Sequence, residues 1–356
     1  MAFHQNGLTL TYFADEFTQT NAFGFDTMLF DVWNLALVII AVYAAFSIFQ
    51  SESAKGKLLS GVIASAILAF LVYRSMGIDA EAVKAVSAPI FQQFNPFYVV
   101  ALTPVSMAIF GSLAKKGKEP SAPRKIAYGM LVAAIGFAIM AVGSNGLNTP
   151  NDQARAIAVN KGEVIAEHIY AAGDDAEALA TAEKEKSDFE GKLTEENKAI
   201  FTQVFDAKLT ILAGASVAED TAIAEAEAEE VVAPAEDTKV AEATAALEAI
   251  KAETKAETRT SPYWLIFTYL ILTFAELLLS PMGISFVSKV APPKLKGLMM
   301  GGWFVATAIG NMLVAVGGFL WAGLPLWSVW TVFIVLCLLS ALFMFVMMKR
   351  LESVTK

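Results

Sequence analysis

The chain has 356 residues, 56% of them hydrophobic and 17% charged, with a mean hydropathy of +0.54 and a formal net charge of −9. A soluble domain carries about 25% charged residues, so this composition excludes an ordinary water-soluble globular chain and points to a helical protein that crosses a membrane several times. The negative charge is local: residues 151–260 hold 25 acidic and 11 basic residues, whereas the remainder holds 10 acidic and 15 basic residues.

Residues 1–14, MAFHQNGLTLTYFA, read as the second half of a membrane helix that opens on His4, Gln5 and Asn6. A chain starting on polar residues in mid-helix suggests a missing N-terminus. Residues 1–25 also lack the basic and then apolar order of a cleavable signal peptide. Apolar runs then predict spans over about 28–49, 57–76, 97–114 and 125–144, the last rich in Gly and Ala and so suited to close helix packing. A short amphipathic interfacial helix is expected over 79–91. Three further spans are expected over about 262–287, 298–321 and 326–348.

The segment of about 147–260 is an Ala-, Glu- and Lys-rich insert, a composition of strong helix formers. Two to four helices are expected there, around IYAAG and AIFTQVFDAKLTILAG, with a flexible stretch at 216–240 that contains Pro234. Its low hydrophobicity fits a solvated helical spacer. The alternative is a docking surface for an envelope partner.

The basic residues set the orientation. Lys55 and Lys57, the cluster from Lys115 to Lys125, Lys289 to Lys296, and Lys349 to Lys356 all fall on one side of seven alternating spans. That side is expected to be cytoplasmic, which leaves the insert extracytoplasmic.

Little soluble-enzyme chemistry is encoded. There is no phosphate-binding loop, and the two histidines, His4 and His168, lie in an apolar segment and in the insert, so a hydrolase triad is not expected. No Cys/His cluster suggests a metal, no cofactor is implied beyond a proton gradient, and no nucleic-acid partner is expected. The single cysteine, Cys337, cannot form an internal disulfide and reads as a small core or lipid-facing residue.

The sharpest candidate is Glu276, a carboxylate inside the run YWLIFTYLILTFAELLLSPMGISFV. Charge at that depth is costly and is usually tied to a pathway for ions or solute, although a structural carboxylate bonded to a neighbouring helix is the alternative. Ser280 follows one turn later on the same face, and Pro281 is expected to bend or break the helix, as in many transporters. On the next run Trp303 reads as an interfacial anchor or a cavity residue, and Asn311, two turns on, favours a polar stripe. Asn95 is a helix start or a cavity residue, and Gln5 and His4 share that ambiguity, His4 being a natural titrating group.

These residues carry a resemblance. AELLLSPMGISFVSKVAP followed by GLMMGGWFVATAIGN resembles the tenth and eleventh helices of proton-dependent oligopeptide transporters, in the major facilitator superfamily. FNPFYVVALTPVSMAIFGSLAKKGKEPSAPRKIAYGM resembles their eighth and ninth helices, and FHQNGLTLTYFAD the end of their seventh. The resemblance implies an all-α polytopic membrane protein, the C-terminal six-helix half of a major facilitator fold, with an extra transmembrane hairpin and a helical extracytoplasmic insert. It implies a remnant of the seventh helix and an external loop at 1–27, the hairpin at 28–76, and helices eight and nine with their preceding loop at 77–146. The acidic insert follows at 147–260, and helices ten to twelve with the cytoplasmic tail at 261–356.

By the same resemblance Glu276 matches an acidic residue linked to the peptide amino end and to gating. Trp303, Asn95 and Gln5 match cavity positions, and Ser280 and Asn311 join them as expected substrate contacts. Proton coupling falls to Glu276 and to His4, which stands where many members have Glu. The implied function is proton-coupled symport of di- and tripeptides across the cell (inner or plasma) membrane by alternating access, as part of a longer chain that supplies a missing N-terminal half. The lipid bilayer and, for the insert, an envelope protein are the other expected partners. The alternatives are a major facilitator carrier for another small solute and a non-transporting membrane scaffold. An enzyme is the least expected class.

Overall fold

The computed structural model describes residues 3–225 and 236–355. The chain divides into two compact units, one formed by residues 1–147 and 259–356, the other by residues 148–258.

The first unit begins with a 3-10 turn over Phe3–Gly7 and helix α1, Thr9–Phe17, whose Leu10, Phe13, Ala14 and Phe17 are buried. The strand β1, Asn21–Phe23, precedes a hairpin of α2, Val32–Gln50, and α3, Ala54–Met76. Both hairpin helices are capped as their sequences dictate. Asp31 accepts from the Trp33 amide at 2.9 Å and Ser53 from the Gly56 amide at 3.0 Å, satisfying amides that lack helical partners. Ser47 and Ser60 bond across the hairpin at 3.0 Å. At its other end Arg74 reaches Asn34 at 2.8 Å and Asp31 at 3.3 Å.

Residues 79–91 do not form the expected amphipathic helix. Val83–Ala85 is a strand, β2, paired antiparallel with β1, and only Ala88–Phe91 is helical (α4). The tertiary partner decides this: Asn21 faces Ala85 and Phe23 faces Val83, and a ladder at this short segment satisfies amides that one helical turn leaves open.

Helices α5, Phe94–Lys115, and α6, Ala122–Gly143, follow. After the second unit the chain returns as α11, Tyr263–Val290, then α12, Lys296–Met312, the short α13, Ala315–Gly323, and α14, Leu326–Thr355. Among the described residues seven segments are long and apolar enough to cross a membrane: 32–50, 54–76, 88–115, 122–143, 263–290, 293–321 and 326–353. The protein is an all-α polytopic membrane protein.

Two local expectations change. Helix α11 runs unbroken through Pro281. In a long membrane helix the lost amide is tolerated, because neighbouring turns and side chains re-satisfy the backbone. The interruption lies one span later, between Met312 and Ala315. There the Val314 amide donates to the Asn311 carbonyl at 3.0 Å and the Gly317 amide to the Val314 carbonyl at 3.0 Å, so the chain passes the break in tight turns.

Small residues set the packing of α6 on α11. A Cβ on Gly136 would lie 2.9 Å from the Leu272 side chain, and one on Gly143 would lie 2.6 Å from the Trp264 ring. A Cβ on Gly129, one heptad earlier than Gly136, would lie 3.0 Å from the Ala275 carbonyl oxygen. Glycines at this spacing bring the two backbones together, and in lipid such close packing replaces the hydrophobic effect as the force between helices. Next to this seam Phe13, Phe17, Phe137, Trp321, Trp330 and Phe333 form an aromatic core, with Phe137 and Phe333 centroids 5.1 Å apart and Trp321 and Trp330 6.0 Å apart. The buried Trp330 indole donates to Ser144 Oγ at 2.8 Å, so its one polar atom is satisfied.

Among the described residues the second unit contains four helices: α7, Pro150–Ala172; α8, Ala176–Glu190; α9, Glu195–Glu225; and α10, Glu236–Glu253. Ala158, Ile165, Phe201 and Phe205 form one core, and Val159, Val204, Ala207 and Leu247 another. The unit thus has packed interiors despite its polarity. Of the stretch expected to be flexible, residues 226–235, including Pro234, lie outside the described residues.

Candidate functional site

Glu276 is half-buried in the middle of α11, thirteen residues beyond the start of that helix at Tyr263. Its Oε2 accepts a hydrogen bond from Asn95 Nδ2 at 3.3 Å. Asn95 is placed by the first turn of α5, where Pro96 sits without needing an amide partner. The pair joins two helices through a carboxylate and a neutral donor, an arrangement in which a proton or a cationic group can take over the carboxylate's partner. His4 lies within coulombic range of Glu276.

One turn beyond Glu276, Ser280 opens onto a cleft of about 450 Å³. This falls within the range of ligand pockets. Its first wall is α11, through Leu279, Ser280 and Ile284. The second is α12, through Trp303, Phe304, Thr307 and Asn311, and His4 also lines the cleft. Trp303 is fixed by shape: its ring lies against Gly283 so closely that any side chain at 283 would clash with it. Glycine at 283 therefore serves the approach of an aromatic ring.

The structure brings His4, Ser280, Trp303 and Asn311 to one cleft, with Glu276 and Asn95 one helical turn away and outside its lining. Gln5 is elsewhere. It is fully buried, its Nε2 donates to the Val314 carbonyl at 3.3 Å, and its Oε1 accepts from Thr9 Oγ1 at 2.9 Å. Gln5 thus ties the start of the chain to the interruption between α12 and α13.

The far wall of the cleft was not singled out from sequence. Phe333, Leu336, Cys337 and Ser340 of α14 line it, together with Met130 of α6. Cys337 is buried, as expected for a small core residue, and it faces the cleft. The available signal was spacing, since Phe333, Cys337 and Ser340 share one helix face in a run that is apolar all round. Among the described residues no group of three or more His, Cys, Asp or Glu side chains is placed to hold a metal ion.

At the ends of α5, α6 and α14, Glu352 accepts from Ser121 at 2.6 Å and pairs with Arg124 at 2.8 Å. Lys125 is buried, pairs with Glu119, and stands over the Phe110 ring at 4.3 Å from its centroid.

A family model described as the POT family matches residues 62–153 and 232–318. The peptide transporter YePEPT of Yersinia enterocolitica is 34% identical over 102 residues, covering 27% of this chain and 20% of the relative. Dipeptide and tripeptide permease B of Salmonella typhimurium is 28% identical over 140 residues, covering 33% and 29%. Solute carrier family 15 member 2 of Rattus norvegicus is 32% identical over 101 residues, covering 28% and 14%. The chain thus spans less than a third of the length of each of these relatives. No solved structure matches it.

Proposed function

The chain belongs to the POT family, and we propose from this premise that it forms the solute-facing wall of a proton-coupled symporter of di- and tripeptides, working by alternating access. The observation that carries the reading is the half-buried Glu276, held by Asn95 across 3.3 Å one turn from the cleft of His4, Ser280, Trp303 and Asn311. A membrane carboxylate suits the ammonium end of a peptide, and the adjoining hydroxyl, amide and indole groups suit its backbone and side chains. When Glu276 is protonated its attraction for an ammonium group is lost, so proton and substrate occupancy are linked at one residue. His4, which lines the cleft, is the second proton carrier of the reading. Gln5, assigned to substrate by resemblance, acts here through Val314 instead.

In this reading residues 1–27, 77–146 and 261–356 supply the six helices of a C-terminal bundle, and a second bundle faces the cleft across the bilayer. Residues 28–76 are an added hairpin. The basic ends at Lys115 to Lys125, Lys289 to Lys296 and Lys349 to Arg350 face the cytoplasm of a cell whose inner or plasma membrane holds the protein, as does the C-terminus. With those ends inside, an odd number of spans supports an extracytoplasmic side for residues 147–260, whose acidic composition would suit an envelope partner. The measurement is calorimetric binding of dialanine to the purified chain and its Glu276→Gln variant. Binding that is lost in the variant, with an unchanged thermal midpoint, supports the reading; equal binding by both overturns the role of Glu276.

A further inference from the structure

Where α5, α6 and α14 end together, residues 115–125 and 349–352 hold seven basic residues against two acidic ones. Both acids are engaged internally: Glu119 pairs with the buried Lys125, and Glu352 holds Arg124 and Ser121. Lys115, Lys116, Lys118, Lys349 and Arg350 are exposed, and among the described residues none of these five is in an ion pair. Beside them Tyr128 of α6 and Phe345 of α14 touch, their ring centroids 6.2 Å apart, and both rings are exposed. Arg124 lies one turn from Tyr128 and Lys349 one turn from Phe345, on the same helix faces. We propose that this seam binds an anionic phospholipid, its phosphate on the cations of α14 and the α5–α6 loop and its acyl chains along Tyr128 and Phe345.

Depth and charge commit the seam to a lipid. The apolar span 122–143 begins, and the span 326–353 ends, at these cations, so Arg124 and Lys349 stand at headgroup level with the aromatic pair one turn deeper. A tyrosine at that depth turns its hydroxyl to the headgroups and its ring to the chains. The stems of Lys and Arg reach from the end of a span to the interface. Cations clustered beside a span attract anionic headgroups, and here the two nearby carboxylates are compensated by their own partners, so the field stays positive. A soluble acidic partner would meet the cations and leave both rings unused. The proposal rests on the membrane crossings alone and not on peptide transport.

The test titrates the full 356-residue chain in detergent with phosphatidylglycerol, phosphatidylcholine, inorganic phosphate or oligoglutamate, and counts bound ligand by native mass spectrometry. Phosphatidylglycerol is expected to bind saturably and about tenfold more tightly than phosphatidylcholine. The double variant Lys349→Gln, Arg350→Gln should weaken it about tenfold or more, at about fivefold per cation. Lys289→Gln with Lys296→Gln removes the same charge from the loop between α11 and α12 and should change it by less than about twofold. Phe345→Ala, at an exposed ring, should weaken phosphatidylglycerol about threefold through lost acyl contact and leave inorganic phosphate unaffected. If the α14 double variant does not fold, Lys115→Gln with Lys116→Gln removes two cations from the loop and should weaken the lipid in the same way. Equal affinity for the two lipids, or equal losses in the two loop regions, overturns the site. Inorganic phosphate bound as tightly as phosphatidylglycerol assigns the cations to a soluble anion and overturns the lipid. Oligoglutamate bound more tightly than phosphatidylglycerol, and lost in the α14 variant, assigns them to an acidic protein and overturns it too.

Discussion

The side-chain amide of Gln5 donates to the main-chain carbonyl of Val314 at 3.3 Å, fastening the first turn of the chain to the interruption between α12 and α13. Gly317 makes room for this contact. A Cβ there would lie 2.7 Å from Gln5 Oε1 and 2.7 Å from Thr9 Cγ2. The break is thus defined by a glutamine from one helix and a glycine from another.

Gly317→Ala is expected to destabilise the protein by about 1–3 kcal/mol through overpacking. Gln5→Leu is expected to cost about 1–3 kcal/mol by leaving the buried Thr9 hydroxyl without its acceptor. Because both act at one contact, the double variant should lose clearly less than the sum of the two. Denaturation midpoints of the four proteins in detergent measure this, and strict additivity refutes the shared contact.

Gly283→Ala should dislodge Trp303, since the ring occupies the place of the new methyl group. The displaced indole then enters the cleft. Dialanine affinity is expected to fall about tenfold, within the range for an obstructed apolar site. Gly283→Ala combined with Trp303→Phe relieves the clash and should recover part of the affinity. Titration calorimetry on the three proteins decides, and unchanged affinity in Gly283→Ala would show that Trp303 has another place to go.

Ser144→Ala leaves the Trp330 indole, buried in the aromatic core, without its acceptor. The expected loss is about 1–3 kcal/mol, the cost of an orphaned buried donor. By contrast, Glu352→Gln breaks the pair with Arg124, whose side chain is 51% exposed, and should cost under about 1 kcal/mol. Thermal midpoints in the same detergent rank the two, and the reverse order would contradict the burial argument.

The unit of residues 148–258 should weaken in acid. Hydrogen bonds from Lys255, and then from Thr149, hold the Asp152 carboxyl below its ordinary value of 3.8, and Lys208 holds Glu167 below 4.5. Both values are lowered in the folded state, so the fold favours the charged forms. Their contribution is complete above the ordinary values, and it is lost as pH falls through them to the lower folded ones. Hydrogen exchange of α7 amides, corrected for intrinsic rates, should therefore accelerate below about pH 4. The double variant Asp152→Asn, Glu167→Gln should show less of that acceleration. An equal acid response in the variant would remove these two residues as its cause.

The residue order alone determined much of this protein. Long apolar runs separated by basic loops mark seven membrane crossings, because a span must be apolar for about 20 residues whatever it packs against. The Ala/Glu/Lys-rich insert reads as helical for a similarly local reason, its intrinsic propensity. Glu276 was conspicuous because a carboxylate in such a run is rare. Trp303, Ser280, His4 and Asn311 share one cleft, but their facing sides could be matched only once the helices had positions.

Tertiary structure decided the rest. Residues 83–85 are a strand because residues 21–23 lie beside them, a pairing sixty residues apart that no local pattern reveals. Proline at 281 suggested a broken helix, yet the break falls at 313–314, where Gln5 and Gly317 from separate segments meet. The α14 wall of the cleft escaped notice since α14 is apolar on every side, and only its placement beside the cleft picks out the face carrying Cys337 and Ser340. Sequence fixes what must leave water, through the transfer energy of each residue. Which residues then meet depends on shape, and in a lipid environment shape is the contribution of packing between helices.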